Sequence, residues 1–419
     1  MNKIVLDSIS INGRIVEYKF HVNEGIAKYF NTDTMFIQYE DDIASVPISI
    51  LSIPFVNVMA GFSWLSDSML FIDEIDYTYY ESFKKLKSAY EELHRTQFKG
   101  LFVPSIITNN SIQSDGVESL LLFGGGVDCH TSFLRNKDSI LKIVNIFGWL
   151  DDLSEHNIVD ESDAEKTLAF AKAMGVDSYH VRSNFASLFD LKLIDKKLCI
   201  PRINTSFWYG LLHPMAFLSI ASPIAWKFKI SNLIIASSFT KDRADVHCGS
   251  FITTDTEFRF ADSGLTFHDG FELNRQDKVR LLVDYQKVIN RYYPLQVCSF
   301  NDNNCCICEK CFRTVVALVA ENADPRSFGF DRIQGSLKDH WARIVNRDVS
   351  MWGVSKESYY YFISKIRMKE NYSIMTDENK AFADWFLSFD FEKAKRKALR
   401  NYYFTNFFSI LKRKFHFAM

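Results

Sequence analysis

Between Arg14 and Val22 the chain alternates. Val16, Tyr18, Phe20 and Val22 hold every second position, the pattern of a strand with one buried face. Asn12-Gly13 just upstream is a tight-turn pair, so Ile9–Ile11 and Ile15–Val22 are predicted to form a hairpin. From Tyr77 to His94 the period lengthens, with Phe83, Leu86, Tyr90 and Leu93 at helix spacing. Residues 1–113 are therefore expected to form a strand-rich N-terminal domain with no chemical motif of its own.

The pattern changes at Val117. Val117–Phe123 is a short apolar run that ends in Gly124-Gly125-Gly126, a helix-like segment follows at Thr131–Arg135, and a second apolar run covers Leu141–Phe147. Further runs at Ser178–Val181 and Leu233–Ala236 are separated by helical stretches around Ser162–Met174 and Thr205–Ile220. Short apolar runs alternating with helices predict an α/β fold with a parallel sheet covered on both faces. Residues 114–330 are expected to hold this core. Residues 331–419 read as a helical, aromatic extension ending in a basic tail (Lys393, Lys395, Arg396, Lys397, Arg400, Lys412, Arg413 and Lys414). That tail is a candidate surface for a protein partner or a membrane face, or an ordinary solvated helix.

Composition narrows the class. Apolar residues at 47% and charged residues at 24% exclude disordered, collagen-like and small disulfide-scaffold chains, and 419 residues suffice for two or three domains. Lys+Arg 49 against Asp+Glu 51 leaves no basic field for nucleic acid. Two uncharged runs, Ile43–Ser66 and Ile203–Trp226, are long enough to test as membrane spans. Both carry prolines and polar groups (Pro47, Pro54 and Asn57; His213, Pro214 and Pro223) that are costly in lipid, so they are expected to be buried core rather than transmembrane. Met1–Asp7 has no apolar signal region, and a cytoplasmic protein is expected.

Two motifs carry chemistry. Phe123–Ser132 places three glycines where a buried strand turns into a helix, so backbone N–H groups and the helix dipole can meet a phosphate. Asp128 could hold Mg²⁺ there, or simply cap the helix; Cys129 at the same terminus is an alternative nucleophile. The second motif is Cys298 followed by Cys305-Cys306-Ile307-Cys308-Glu309-Lys310-Cys311. Cys298, Cys305, Cys308 and Cys311 offer four thiolates for a closed structural Zn²⁺ site, with an iron–sulfur cluster as the rival and Cys306 as the spare thiol.

The glycine loop resembles the Ser-Gly-Gly-X-Asp-Ser pyrophosphate loop of the PP-loop ATP pyrophosphatases. Gly125, Gly126 and Asp128 match, and Gly124 and Cys129 stand in place of the two serines. Together with the cysteine run, which continues into Phe312-Arg313-Thr314, the chain over about Leu120–Leu318 resembles the 7-cyano-7-deazaguanine synthase (QueC-like) branch of that superfamily. Cys306 stands where that branch has a glycine. Longer proteins of this type occur in anti-phage defence operons (QatC-like) and in surface-polysaccharide loci. The resemblance implies a PP-loop core that binds ATP and Mg²⁺, adenylates a carboxylate on a 7-deazaguanine-like molecule and passes it to an amine. It implies that Gly124, Gly125, Gly126, Val127, Asp128 and Cys129 form the nucleotide-binding loop, in which Gly125, Gly126 and Asp128 cradle the phosphates and Mg²⁺ with Asp128 catalytic, and that Gly148 and Ser237 meet the adenine and ribose. Basic groups should converge on such a site, and Arg243, His268, Arg275 and Lys278 are the candidates. The two missing serines leave a catalytically reduced nucleotide-binding scaffold as a competing expectation. A third is an amide-forming enzyme that modifies a partner protein.

Overall fold

The computed structural model describes residues 2–114, 116–243, 247–298, 303–347 and 358–405. Among them, one sheet is built from β1 (Asn2–Asn12), β2 (Ile15–Val22), β3 (Thr34–Gln38), β4 (Ser68–Asp76), β5 (Leu101–Thr108), β6 (Ser119–Leu122), β7 (Ile140–Phe147), β8 (Asp177–Ser183), β9 (Asn232–Ala236) and β10 (Leu265–Asp269). Its spatial order is β10-β9-β6-β7-β8-β3-β2-β1-β4-β5. Pairing is antiparallel at β8–β3, β3–β2 and β2–β1 and parallel elsewhere. The α/β reading of the sequence holds.

Helices of ten residues or more are α1 (Ile48–Leu65), α2 (Tyr77–His94), α3 (Val127–Asn136), α4 (Ile158–Met174), α5 (His213–Lys227), α6 (Arg275–Ile289), α7 (Glu309–Ala320), α8 (Leu337–Arg347), α9 (Ser358–Asn371), α10 (Asp377–Ser388) and α11 (Phe391–Thr405). α2 starts where the Asp76 carboxylate accepts the Tyr79 N–H, and it ends at Arg95 in the left-handed region with φ 50°. The hairpin turns at Gly13, φ +57°, but β1 begins at Asn2, well before the predicted Ile9.

In the parallel half, neighbouring residues of one strand serve opposite faces. Leu120, Val144 and Leu233 join the core beneath α1 and α5, whereas Leu121, Ile143 and Ile234 pack with Phe133 and Ala171 of α3 and α4. Strands buried on both faces are continuous apolar runs for this reason. α1 is the one described helix long and apolar enough to cross a membrane, and 94% of that span is buried within the protein. Three of its polar side chains are satisfied internally: Ser52 Oγ donates to the Ile48 carbonyl, Ser63 Oγ to Ala60, and Asn57 Nδ2 to Met215 at 2.6 Å.

The chain divides into two compact units, Met1–Glu272 and Leu273–Met419. The expected boundaries near 113 and 330 are not where the units part. β3 pairs with β8, through Ile37↔Ser183 and Gln38↔Arg182, so the N-terminal strands extend the α/β sheet instead of folding apart from it. At the other end the helical region starts at α6, whose cap Asn274 forms a capping box with Asp277. The second unit buries an aromatic cluster, with Phe312 4.9 Å from Trp341 and 6.0 Å from Phe386 between ring centroids. The first part of the basic tail lies on α11; Lys412, Arg413 and Lys414 lie outside the described residues.

Candidate functional site

Chain order and spatial order part company at β6, whose neighbours are β7 on one side and β9 on the other. In open parallel sheets this switch point leaves a crevice at the carboxyl ends of the strands, where ligands bind. A cavity of about 290 Å³ lies there, formed by Leu122 at the end of β6 and Phe123 just after it, Asn145 and Ile146 of β7, and Ile235 and Ala236 of β9. Gly124, Gly126, Asp128 and Cys129 of the glycine loop close one side, and His213, Phe217, Ser238 and Ser250 another.

The loop is held from below. Phe123 N–H donates to the Val144 carbonyl at 2.8 Å, Gly125 takes φ +70°, and Gly126 caps α3 without a side-chain hydrogen bond. Asp128 is thus the second residue of α3 and not its cap. An N-terminus with no capping side chain keeps backbone donors for an anion. α3 is anchored at the side by Asp269 of β10, which accepts Ser132 Oγ at 2.7 Å and Arg135 Nε at 3.2 Å. His130 packs its ring 4.9 Å from Phe123 and 4.5 Å from Phe170 and hydrogen-bonds the Gly125 backbone; desolvation lowers its pKa to about 3, so it is neutral. Burial pushes the Cys129 thiol up to about 12, and Sγ donates to the Gly126 carbonyl at 3.2 Å. A thiol held neutral in this way is not an activated nucleophile.

The predicted nucleotide contacts divide. Gly124, Gly126, Asp128 and Cys129 line the cavity; Gly125 and Val127 belong to the same turn without lining it. Ser237 is buried, its Oγ donating to the Phe239 carbonyl at 2.6 Å, and Ser238 takes the place on the wall. Gly148 lies against Phe185, where a Cβ would come within 1.9 Å of the ring. His268 is a buried partner of Asp255, Nδ1 to Oδ2 at 2.8 Å, and the same oxygen accepts Ser250 Oγ at 2.6 Å. Arg243 sits on a short 3₁₀ turn, Lys241–Arg243, beyond β9. Arg275 and Lys278 belong to α6 in the second unit, where Arg275 Nη2 donates to Thr314 Oγ1 at 3.3 Å.

The second unit brings Cys298, Cys305, Cys308 and Cys311 together, with their sulfurs all within 4.8 Å of one another and Cys305 to Cys311 at 3.9 Å. A tetrahedron of thiolates about 2.3 Å from one ion has edges of about 3.8 Å, so the set fits a single metal ion. Hydrogen bonding by Cys311 pulls the Cys308 thiol down to about 5, while burial and neighbouring sulfur raise Cys305 to about 11. Cys311, which hydrogen-bonds Cys308, is pushed up as well, so of these three thiols Cys308 alone is favoured as a thiolate, and a bound cation would take the place of the protons on the others. Cys308 also caps α7, accepting the Cys311 N–H at 3.5 Å. Cys306 is no ligand: it is buried at φ +54°, the left-handed region that favours glycine.

Two supporting residues carry no motif. Asn304 Oδ1 accepts the Val297 and Cys298 N–H groups at 2.9 and 3.3 Å, and its Nδ2 donates to the Leu295 and Gly329 carbonyls at 2.7 and 2.9 Å. His340 Nδ1 accepts the Gln334 N–H at 3.1 Å, so Nε2 carries the proton given to the Cys306 carbonyl at 2.8 Å. In the first unit, Asn145 and His213 were likewise unmarked. His213 Nδ1–H donates to the Trp208 carbonyl at 2.8 Å, and desolvation lowers its pKa.

A scan against protein-family models finds no match for this chain, and neither does a search of curated proteins.

Proposed function

We propose that this chain is a QueC-like enzyme with a PP-loop core, binding ATP at the glycine loop and using it to activate a carboxylate of the 7-deazaguanine type. The observation that carries the reading is the switch-point cavity closed by Gly124, Gly126 and Asp128 at the uncapped start of α3. In the reaction, a carboxylate oxygen attacks the α-phosphorus of ATP and the bond to pyrophosphate breaks. An amine then attacks the acyl carbon of the adenylate, and AMP leaves. The loop amides would orient the phosphates, and positioning with charge neutralisation supplies most of the rate in such transfers. Mg²⁺ held by Asp128 would offset phosphate charge when bound. His213 would take the proton that the amine loses, since its Nδ1–H is already committed to Trp208 and its Nε2 is a neutral base.

The cysteine cluster serves as a structural zinc site in this reading. Four sulfurs at the spacing of one tetrahedral ion favour zinc over a multi-iron cluster, whose thiolates are spread over separate irons. The cellular setting that goes with this reading is a cytoplasmic anti-phage defence system, with a protein partner or protein substrate supplying the amine.

One observation favours a second reading, a scaffold that binds nucleotide without turnover: among the described residues lining the cavity none is Lys or Arg. Pyrophosphate and AMP release from ATP-Mg²⁺, with and without 7-carboxy-7-deazaguanine, separates the two. The enzyme reading expects substrate-dependent release that falls at least about a hundredfold in Asp128→Ala, the scale of losing one electrostatic contact to a transition state. ATP binding without release by the folded, metal-loaded protein would leave the scaffold. Failure to bind ATP would overturn both.

A further inference from the structure

The cavity wall is mostly apolar, and on it Asn145 of β7 has both ends of its amide engaged. The Phe123 carbonyl can only accept, so the Asn145 atom 3.2 Å from it is the amide nitrogen. Oδ1 therefore faces His180 Nδ1 at 2.8 Å, and that ring nitrogen donates. The opposite nitrogen, Nε2, is 2.6 Å from Asp160 Oδ1, and Asp160 Oδ2 accepts Arg182 Nε at 2.8 Å. Burial raises the Asp160 pKa, but hydrogen bonds from His180 and Arg182 outweigh it and the net shift is downward, so Asp160 is a carboxylate. Arg182 is itself tied to the Gln38 side chain and the Glu155 carbonyl.

This series fixes the direction of one amide. An Asn side chain has two N–H donors and two oxygen lone pairs, and the contacts to Phe123 and His180 use one of each. One donor and one acceptor remain, set among Leu122, Val144, Ile146, Phe217 and Ile235. An apolar slot with a single oriented amide suits a flat heteroaromatic ring whose edge places a donor beside an acceptor. Asn pairs in this way with the amino group and adjacent ring nitrogen of adenine.

Resting on the nucleotide reading above, we infer that Asn145 reads the base of the bound nucleotide, selecting adenine through its amino group, and that His180 and Asp160 are positioning residues that hold its amide.

The test is equilibrium binding of ATP-Mg²⁺ and of purine riboside triphosphate, which lacks the amino group, to the full-length protein. Wild type should prefer ATP by about tenfold, the worth of one hydrogen bond. Asn145→Leu should bind both alike. His180→Leu should lose most of the preference, and His180→Gln, which restores an N–H toward Asn145, should recover it. Should Asn145→Leu fail to fold, Asn145→Ala removes the same acceptor without added bulk and should likewise bind both alike, whereas Asn145→Asp, which keeps an acceptor for the amino group, should keep the preference. If wild type binds neither triphosphate, the nucleotide reading itself falls. If wild type binds ATP without preference, or Asn145→Leu retains the preference, only the role of Asn145 is overturned. Equal preference in His180→Leu and wild type overturns the positioning role.

Discussion

Gly148→Ala separates packing from ligand contact at a residue that the family resemblance assigned to nucleotide binding. A Cβ at this position would lie 1.9 Å from Phe185 Cε1 and 2.4 Å from Cδ1 and Cζ, where ordinary contact begins at 3.4 Å. The ring would have to retreat by about 1.5 Å to restore normal contact in a close-packed core. It has little room to do so. Phe185 is fully buried, stacked on Trp208 at 6.0 Å and 10° and edge-on to Phe217 at 5.8 Å, while Ala186 N–H donates to the Gly148 carbonyl at 2.8 Å. Overpacking of this kind costs about 1–3 kcal/mol. At about 2–4 °C per kcal/mol for a unit of this size, the melting temperature should fall by about 2–12 °C. Scanning calorimetry reads the loss, and ATP binding measured well below the transition reads the site. Phe185→Leu in the same chain should recover part of the stability, a coupling expected only of residues in contact. An unchanged melt would refute the packing argument. A stable Gly148→Ala that no longer binds ATP would restore the nucleotide-contact role.

Two further outcomes follow from the same geometry. Cys308→Ser, or chelation of wild type, should take zinc from one per chain to well below one and lower the melting of the second unit by several kcal/mol, against about 10–16 kcal/mol of apparent zinc binding in small thiolate peptides; a metal-free protein that melts like wild type would refute a structural role. His130 titrates near 6.5 when unfolded and at about 3 when folded, so the folded state holds fewer protons between these values. Its contribution is complete above pH 6.5 and is lost as pH falls from there toward 3, by up to about 1.4 kcal/mol per pH unit. Urea midpoints of wild type and His130→Phe between pH 7 and 5 should show the shallower dependence in the variant, and equal slopes would refute the buried neutral histidine.

Local order was legible where one face is wet. The helix Tyr77–His94 could be read because polar residues mark its outer face, with Phe83, Leu86 and Tyr90 inside. α1 offered no period to read because nearly every side is buried. The junction of β3 with β8 left no trace, since a five-residue strand carries no label for a partner so far along the chain. The same split holds at the sites. Glycines before a helix and cysteines at close spacing announce themselves by residue type. Asn145, Asn304 and His340 act through carbonyls and neighbours that only the fold brings near, and Gly148 owes its identity to a ring beyond the local chain.

The β3–β8 seam also sets a timetable. Phe36 N–H waits for the Asn184 side chain, 148 residues downstream. At synthesis rates of about 5–20 residues per second, that is about 7–30 s during which β3 has emerged and its partner has not. For that interval β3 is an open edge, a template for pairing with any neighbouring chain. The seam of only two paired residues keeps the later docking step brief and makes the nascent chain, more than the finished protein, the stage at which a chaperone would matter.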